Sequence, residues 1–294
     1  MCLELAQSNF KMNKFSFIFI GSFLLLLSIF SFFNIIYSYY FNIFLNVDTY
    51  TYTFILTLSL CLLLFYISKI EFKKTLLYEK IITVLFGYLF FPLIISLPIY
   101  LSIHNISFIN CYFEAVSGFT STGFTVFDNI KQIDQSLILW RSTSQWVGGL
   151  YFLFSILLLI DIFDENLKKS ITNYFSLNSS EIFKQSFKII IIYTLLTLLI
   201  FILLKFINLR SFDSLNLSFT IISSGGFLPF NNLNPLFQSN VSKIILSILM
   251  LTSYFSLFLI YNIIFLNKKN LNYLSEDFYL FIYLLIIISI IFVF

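Results

Sequence analysis

The sequence predicts an all-α polytopic membrane protein, built from repeated helix–pore loop–helix units with half-membrane re-entrant pore helices. Three observations carry that fold class. Hydrophobic residues make up 59% of the 294 and charged residues only 11%, where a soluble domain has about a quarter, so the charges are too few to coat a soluble surface. Apolar runs recur at about the 20-residue length that a helix needs to cross a bilayer. Two glycine-centred polar stretches interrupt these runs, Ser117–Thr125 and Ser223–Phe227, with Gly123 and Gly226 lying 103 residues apart.

Membrane helices are expected over 15–38, 51–69, 81–103, 136–160, 186–207, 241–266 and 278–294. The first run follows Lys11 and Lys14. It is too long for a signal-peptide core and no small-residue cleavage site follows, so it reads as a retained helix, with Met12 as an alternative start. Between the third and fourth helices, 107–130 is too short and too rich in hydroxyls for a full span, and so is 211–232 between the fifth and sixth. Each fits a half-membrane helix, near 108–119 and 211–222, followed by an extended return.

This divides the chain into a two-helix leader (1–80), a first unit (81–160), a cytoplasmic loop (161–185), a second unit (186–266) and the start of a third (267–294). Basic residues agree with that topology. Lys11 and Lys14, then Lys69, Lys73, Lys74 and Lys80, then Lys168, Lys169, Lys184 and Lys188, and finally Lys268 and Lys269 put 12 of the 17 basic residues on one side. Positive loops stay cytoplasmic, which places the N-terminus inside and opens both glycine stretches outward. Superposing Gly226 on Gly123 also brings Phe227 onto Phe124, Ser224 onto Ser121, Phe219 onto Val116 and Asp213 onto Asn110.

Glycine and hydroxyl residues between apolar spans leave main-chain carbonyls unpaired at membrane depth, which is tolerated only where they line a protected or water-filled cavity. Ion-selective pores use such carbonyls in place of an ion's hydration shell. Gly123 and Gly226 are the central candidates, because a residue without a side chain adopts the dihedrals that stacked carbonyls need. Thr120, Ser121, Thr122, Phe124 and Thr125 would supply neighbouring oxygens in the first stretch; Ser223, Ser224, Gly225 and Phe227 would do so in the second. Neither stretch holds Asp or Glu, in keeping with binding weak enough for exit. The C-terminal ends of the half-helices would add partial negative charge. Small-residue packing between helices is the competing account.

Glu114 and Arg141 are charges near the apolar zone, where a charge is normally paired. They are read as an ion pair bracing the pore helix against the next helix, with attraction of cations by Glu114 as the alternative. Asp128 and Asp134 are read as solvated loop charges that can also raise local cation concentration. Trp140 and Trp146 are expected to anchor a helix at the membrane interface, Gly148 and Gly149 to allow close packing or a bend, Pro92 and Pro98 to kink the third helix, and Pro229 and Pro235 to end the second stretch. Cys2, Cys61 and Cys111 have no paired spacing, and the lone His104 reads as solvated. No paired carboxylates, His cluster or nucleophile–base spacing marks an enzyme.

Glu114–Val126, followed by Leu139–Ser142 and Gln145–Gly149, resembles the first repeat of the pore subunit of the Trk/Ktr potassium-uptake family; Ile222–Phe227 resembles its second pore loop. The resemblance covers about residue 15 onward. It implies a potassium or sodium-coupled potassium conduit in a prokaryotic plasma membrane, with K+ as the transported ion and no covalent cofactor. It also implies a homodimer and a cytoplasmic nucleotide-binding regulatory subunit of the TrkA/KtrA kind. Members of that family carry four units around one pore, whereas a leader of about 80 residues leaves room here for two units of about 105. The chain is therefore expected to be incomplete or split, completed by a complementary half-chain or a second copy; a non-conducting remnant or assembly subunit is the alternative.

Overall fold

The computed structural model describes residues 14–68, 77–103, 105–159, 182–231, 236, 237 and 239–252, with isolated positions at 279, 282, 283 and 286. Residues 161–181 of the expected loop 161–185, residues 253–266 of the expected span 241–266, most of the expected span 278–294, Lys11, the pairs Lys73–Lys74, Lys168–Lys169 and Lys268–Lys269, and also Lys69, Cys2, His104 and Pro235, lie outside the described residues. The described residues form helices α1 (Lys14–Tyr40), α2 (Phe44–Ile67), α3 (Leu77–Ser102), α4 (Phe108–Phe119), α5 (Gln135–Leu159), α6 (Ile182–Phe206), α7 (Ser211–Ile222) and α8 (Asn240–Thr252). A short 3-10 turn spans Ile130–Gln132, and no strand occurs among these residues.

α1, α2, α3, α5 and α6 are each long and apolar enough to cross a membrane, so the chain is a multi-pass helical membrane protein. α4 and α7 have 12 residues each. At 1.5 Å per residue they reach about 18 Å, little more than half of a hydrocarbon core of about 30 Å.

α1 and α2 form an antiparallel pair around a tight turn in which Asn42 takes a positive φ of 59°. Ser31 Oγ donates to the Tyr50 carbonyl at 2.8 Å near one end, and Cys61 Sγ to the Gly21 carbonyl at 3.3 Å near the other. α2 starts at Phe44, seven residues before the hydropathy-based boundary at 51. The residues that look like a polar lead-in, Asn46, Thr49, Tyr50 and Thr53, are buried on one face. Their spacing is helical, and Asn46 Nδ2 donates to Asp134 Oδ2 at 3.1 Å and Ser136 Oγ at 2.6 Å. α6 likewise begins at Ile182, inside the stretch read as loop.

Pro92 and Pro98 lie within α3, and each removes an amide from the helical ladder. Side chains reach the α3 backbone around these breaks: Tyr112 donates to the Leu89 carbonyl at 3.2 Å and the Trp140 indole to the Ile95 carbonyl at 2.9 Å. Trp140 is only 1% exposed. Trp146 is buried too, and its indole donates to Thr197 Oγ1 at 3.0 Å. Both tryptophans thus staple helices together inside the protein, and the expectation that they anchor at the lipid–water boundary is corrected. An indole whose N–H finds a partner can be buried whole.

The core lies beneath the end of α4. Phe119, the last residue of that helix, meets Tyr88, Phe91 and Tyr151 at ring-centroid distances of 5.8, 5.5 and 5.2 Å. Gly148 of α5 lets the α4 terminus approach: a Cβ there would collide with the Phe119 carbonyl group. Gly148→Ala should therefore destabilise the protein by about 1–3 kcal/mol through overpacking against rigid backbone, read as a lowered melting temperature in detergent; an unchanged melt would contradict this contact.

Candidate functional site

α4 and α7 end in the same way. In α4, the Ser121 amide bonds the Gly118 carbonyl at 3.0 Å and the Thr122 amide the Ser117 carbonyl at 2.9 Å. In α7, the Ser224 amide bonds the Ile221 carbonyl at 3.1 Å and the Gly225 amide the Thr220 carbonyl at 2.8 Å. This paired pattern is a Schellman cap, which needs a left-handed residue just past the helix. Ser121 and Ser224 take that conformation, at φ 55° and 54°. A hydroxyl then ties each return strand to its helix: Ser117 Oγ donates to the Phe124 carbonyl at 2.6 Å and Thr220 Oγ1 to the Phe227 carbonyl at 2.9 Å. Every one of these atoms is displaced by 103 positions from its counterpart.

The two turns meet at their glycines. Gly123 has φ 79°, and a Cβ built on it would run into the Gly226 backbone, while one built on Gly226 would lie 3.0 Å from the Gly123 Cα. Main chain therefore touches main chain, and any side chain at either position would part the loops.

Behind the first loop sits a buried ion pair. Arg141 of α5 is 2% exposed and Glu114 of α4 fully buried, with Arg141 Nη2 and Nε both 2.7 Å from Glu114 Oε1. The carboxylate also accepts from Thr125 Oγ1 at 3.0 Å and from the Val126 amide at 2.9 Å, so it holds both α5 and the return strand. Arg141 Nη2 donates to Thr125 Oγ1 at 3.0 Å. Its guanidinium lies 4.1 Å from the centroid of the Phe227 ring, in the second loop, within cation–π range.

The structure distinguishes among the sequence-predicted site residues. Gly123 and Gly226 come together. The hydroxyls of Thr120 and Ser223 donate back to the Val116 and Phe219 carbonyls, at 2.8 and 2.9 Å, and that of Thr125 joins the ion pair. Thr120 and Thr122 share a hydroxyl–hydroxyl bond of 2.7 Å. Gly225 lies against Gln145. Phe227 is 3% exposed while Phe124, its repeat counterpart, is 68% exposed. Past the loops, Asn231 accepts from the Ile130 amide at 2.8 Å and donates to the Asp128 carbonyl at 3.2 Å, joining the two return strands.

Three contributors carried no assigned role at the level of sequence. Ser117 and Thr220 are hydroxyl residues 103 apart, a signal available to anyone extending the alignment backward. Gln145, buried in α5, reaches the second loop, and nothing in the sequence announces that contact.

Fold and site together define a class of helical membrane protein in which half-membrane helices present paired glycine-centred loops. No protein-family model matches the chain. It is 35% identical over 140 residues to an uncharacterized cation transporter of Methanocaldococcus jannaschii, covering 45% of this chain and 28% of that protein. It is 27% identical over 220 residues to the Trk system potassium uptake protein TrkG of Escherichia coli, covering 72% and 45%. The crystal structure of the potassium transporter TrkH from Vibrio parahaemolyticus shares its fold, with a TM-score of 0.61 at 23% identity over 82% of this chain and 50% of that one. The chain is thus similar in sequence to transport proteins of the Trk type and shares a fold with one of them, and it spans half or less of the length of these relatives.

Removing one member of a buried ion pair leaves the other uncompensated, at a cost of about 3–5 kcal/mol. Glu114→Gln and Arg141→Met should each destabilise by that order. The double variant should lose less than the sum of the two, as measured by denaturant titration in mixed micelles. Strict additivity would show that the two charges do not support each other.

Proposed function

We propose that this chain contributes the pore of a potassium (monovalent cation) transport system of the Trk type, with the two glycine-centred loops as part of a carbonyl-lined selectivity filter. The carrying observation is the backbone contact of Gly123 and Gly226 at the ends of two identically capped half-helices. Thr120, Ser121, Thr122, Gly123, Phe124 and Thr125 line it from the first loop, and Ser223, Ser224, Gly225, Gly226 and Phe227 from the second. Both loops lack carboxylates, and the partial negative charge of two helix C-termini favours a dehydrated cation. Glu114 offsets the positive charge that Arg141 would otherwise bring behind the loops. Relatives named as cation or potassium transporters support the reading. K+ is the transported ion, and no other cofactor enters the proposal.

Lysine placement favours a cytoplasmic N-terminus, and the resemblance to Trk-type uptake proteins favours a prokaryotic plasma membrane. Phe227 is covered by α5, whereas Phe124 is open together with Ile109 and Phe113 of α4. That asymmetry supports a partial ring: among the described residues α5 covers the second loop, while the first leaves Phe124 exposed. We assign the missing neighbour to a complementary half-chain or a second copy of this chain, and a nucleotide-binding regulatory subunit of the TrkA/KtrA kind to the cytoplasmic side.

The test is growth of potassium-uptake-deficient cells at low external potassium. The chain, alone or co-expressed with a complementary half-chain, should restore growth, and Gly123→Ser should lower potassium-over-sodium preference by about tenfold, equivalent to about 1.4 kcal/mol. Failure of every combination to restore growth would overturn the conduit, and an unaltered preference in an active assembly would remove Gly123 from the filter.

A further inference from the structure

We infer that Gln145 is a positioning residue that aims the carbonyls of the second loop, reaching into it from the helix that follows the first loop. The inference rests on the proposed conduit and adds to it a residue that sets ion preference. Gln145 lies on α5, one turn beyond Arg141, and is completely buried. In the amide orientation that satisfies both of its ends, its oxygen accepts from the Gly226 amide at 3.0 Å and the Phe227 amide at 3.1 Å, while its nitrogen donates to Thr220 Oγ1 at 3.2 Å. Thr220 in turn donates to the Phe227 carbonyl. One side chain thus grips two consecutive peptide N–H groups and the hydroxyl that holds the next carbonyl.

The consequence follows from peptide geometry. A trans peptide is planar, and its N–H and C=O point in opposite directions; the described chain holds no cis bond. Drawing the Gly226 N–H toward α5 turns the Gly225 carbonyl away from α5, and drawing the Phe227 N–H does the same to the Gly226 carbonyl. Both oxygens then face away from the helix that anchors them, at the level where Gly226 meets Gly123. Gly225 is a glycine for a related reason, since a Cβ there would sit 2.4 Å from the Gln145 amide carbon.

The first loop is held differently. Its own half-helix supplies the acceptor, Glu114, which takes the Val126 amide. The residue 103 positions on from Glu114 is Leu217, buried and apolar, and the counterpart of Val126 is Pro229, which has no amide to donate, so that clamp is not repeated. The second loop is instead held nearer its half-helix, at the Gly226 and Phe227 amides, by Gln145 of α5. The carbonyl direction of one loop therefore depends on the helix of another, and a change in α5 would reach the ion path without any substitution in the loop.

Two measurements test this on the full chain. Hydrogen exchange in nanodiscs should show the segment containing Gly226 and Phe227 exchanging at least tenfold faster in Gln145→Leu than in the wild type, with the Val126 segment unchanged. Gln145→Glu keeps an acceptor for both amides and should retain protection, which separates loss of the clamp from general misfolding. In a transport-competent assembly, Gln145→Leu should lower the rubidium-over-sodium uptake ratio about tenfold while Gln145→Glu stays within about threefold. Unchanged exchange in Gln145→Leu overturns the inference. So does faster exchange with an unaltered ratio in an assembly whose ratio responds to Gly123→Ser. An assembly that transports but is indifferent to Gly123→Ser removes Gly123 from the filter, and the exchange data then decide the clamp alone.

Discussion

The structure turns on a single buried cation. Arg141 stands in the second turn of α5, within a stretch from Ser136 to Leu150 that is buried almost throughout, and a guanidinium at such a place is tolerated only with partners. Glu114 is that partner, and because it also accepts from Thr125 and Val126, satisfying the charge ties α4, the first return strand and α5 into one unit. The flat face of the same guanidinium supports Phe227, so the second loop is brought into the arrangement as well. Close approach of α4 to Gly148 completes it, since a bulkier residue there would hold the carboxylate away from the guanidinium.

The two loops are alike in everything their own backbone decides and unlike in everything their neighbours decide. Both helices end in a Schellman cap, both place a serine in the left-handed region, and both tie the return strand with a hydroxyl from the helix. A serine in that conformation costs about 1–2 kcal/mol relative to its relaxed state, and the cap bonds together with the packing around them hold it there. Beyond the cap, the first loop is held by Glu114 from its own half-helix, and the second by Gln145 and Arg141 from α5. Covering Phe227 while leaving Phe124 open is the visible outcome of that difference.

Much of this was legible in the chain. The half-helices expected at 108–119 and 211–222 are α4 and α7, because polar, glycine-rich ends and a short apolar middle limit a helix to half a bilayer. Boundaries were less legible where polar residues are buried. Asn46, Thr49 and Thr53 lower the local hydropathy, yet they sit buried inside α2, Asn46 and Thr49 with partners on neighbouring helices and Thr53 bonded back to the Thr49 carbonyl. Trp140 and Trp146 were misplaced for a similar reason: position near a helix start says nothing about whether an indole N–H will find a carbonyl or hydroxyl inside the protein.

What the sequence determined alone is whatever depends on local composition and period: membrane residence, the existence of two half-length helices, and the pairing of Gly123 with Gly226 by their shared interval. What only the tertiary structure decided is which side chains hold the loops. Hydrogen bonds between residues such as Gln145 and Gly226, 81 positions apart, depend on how helices cross and on which donors remain unpaired once the backbone has closed its own ladder. A pattern read along one chain cannot contain that information, because it arises from the meeting of two segments in space.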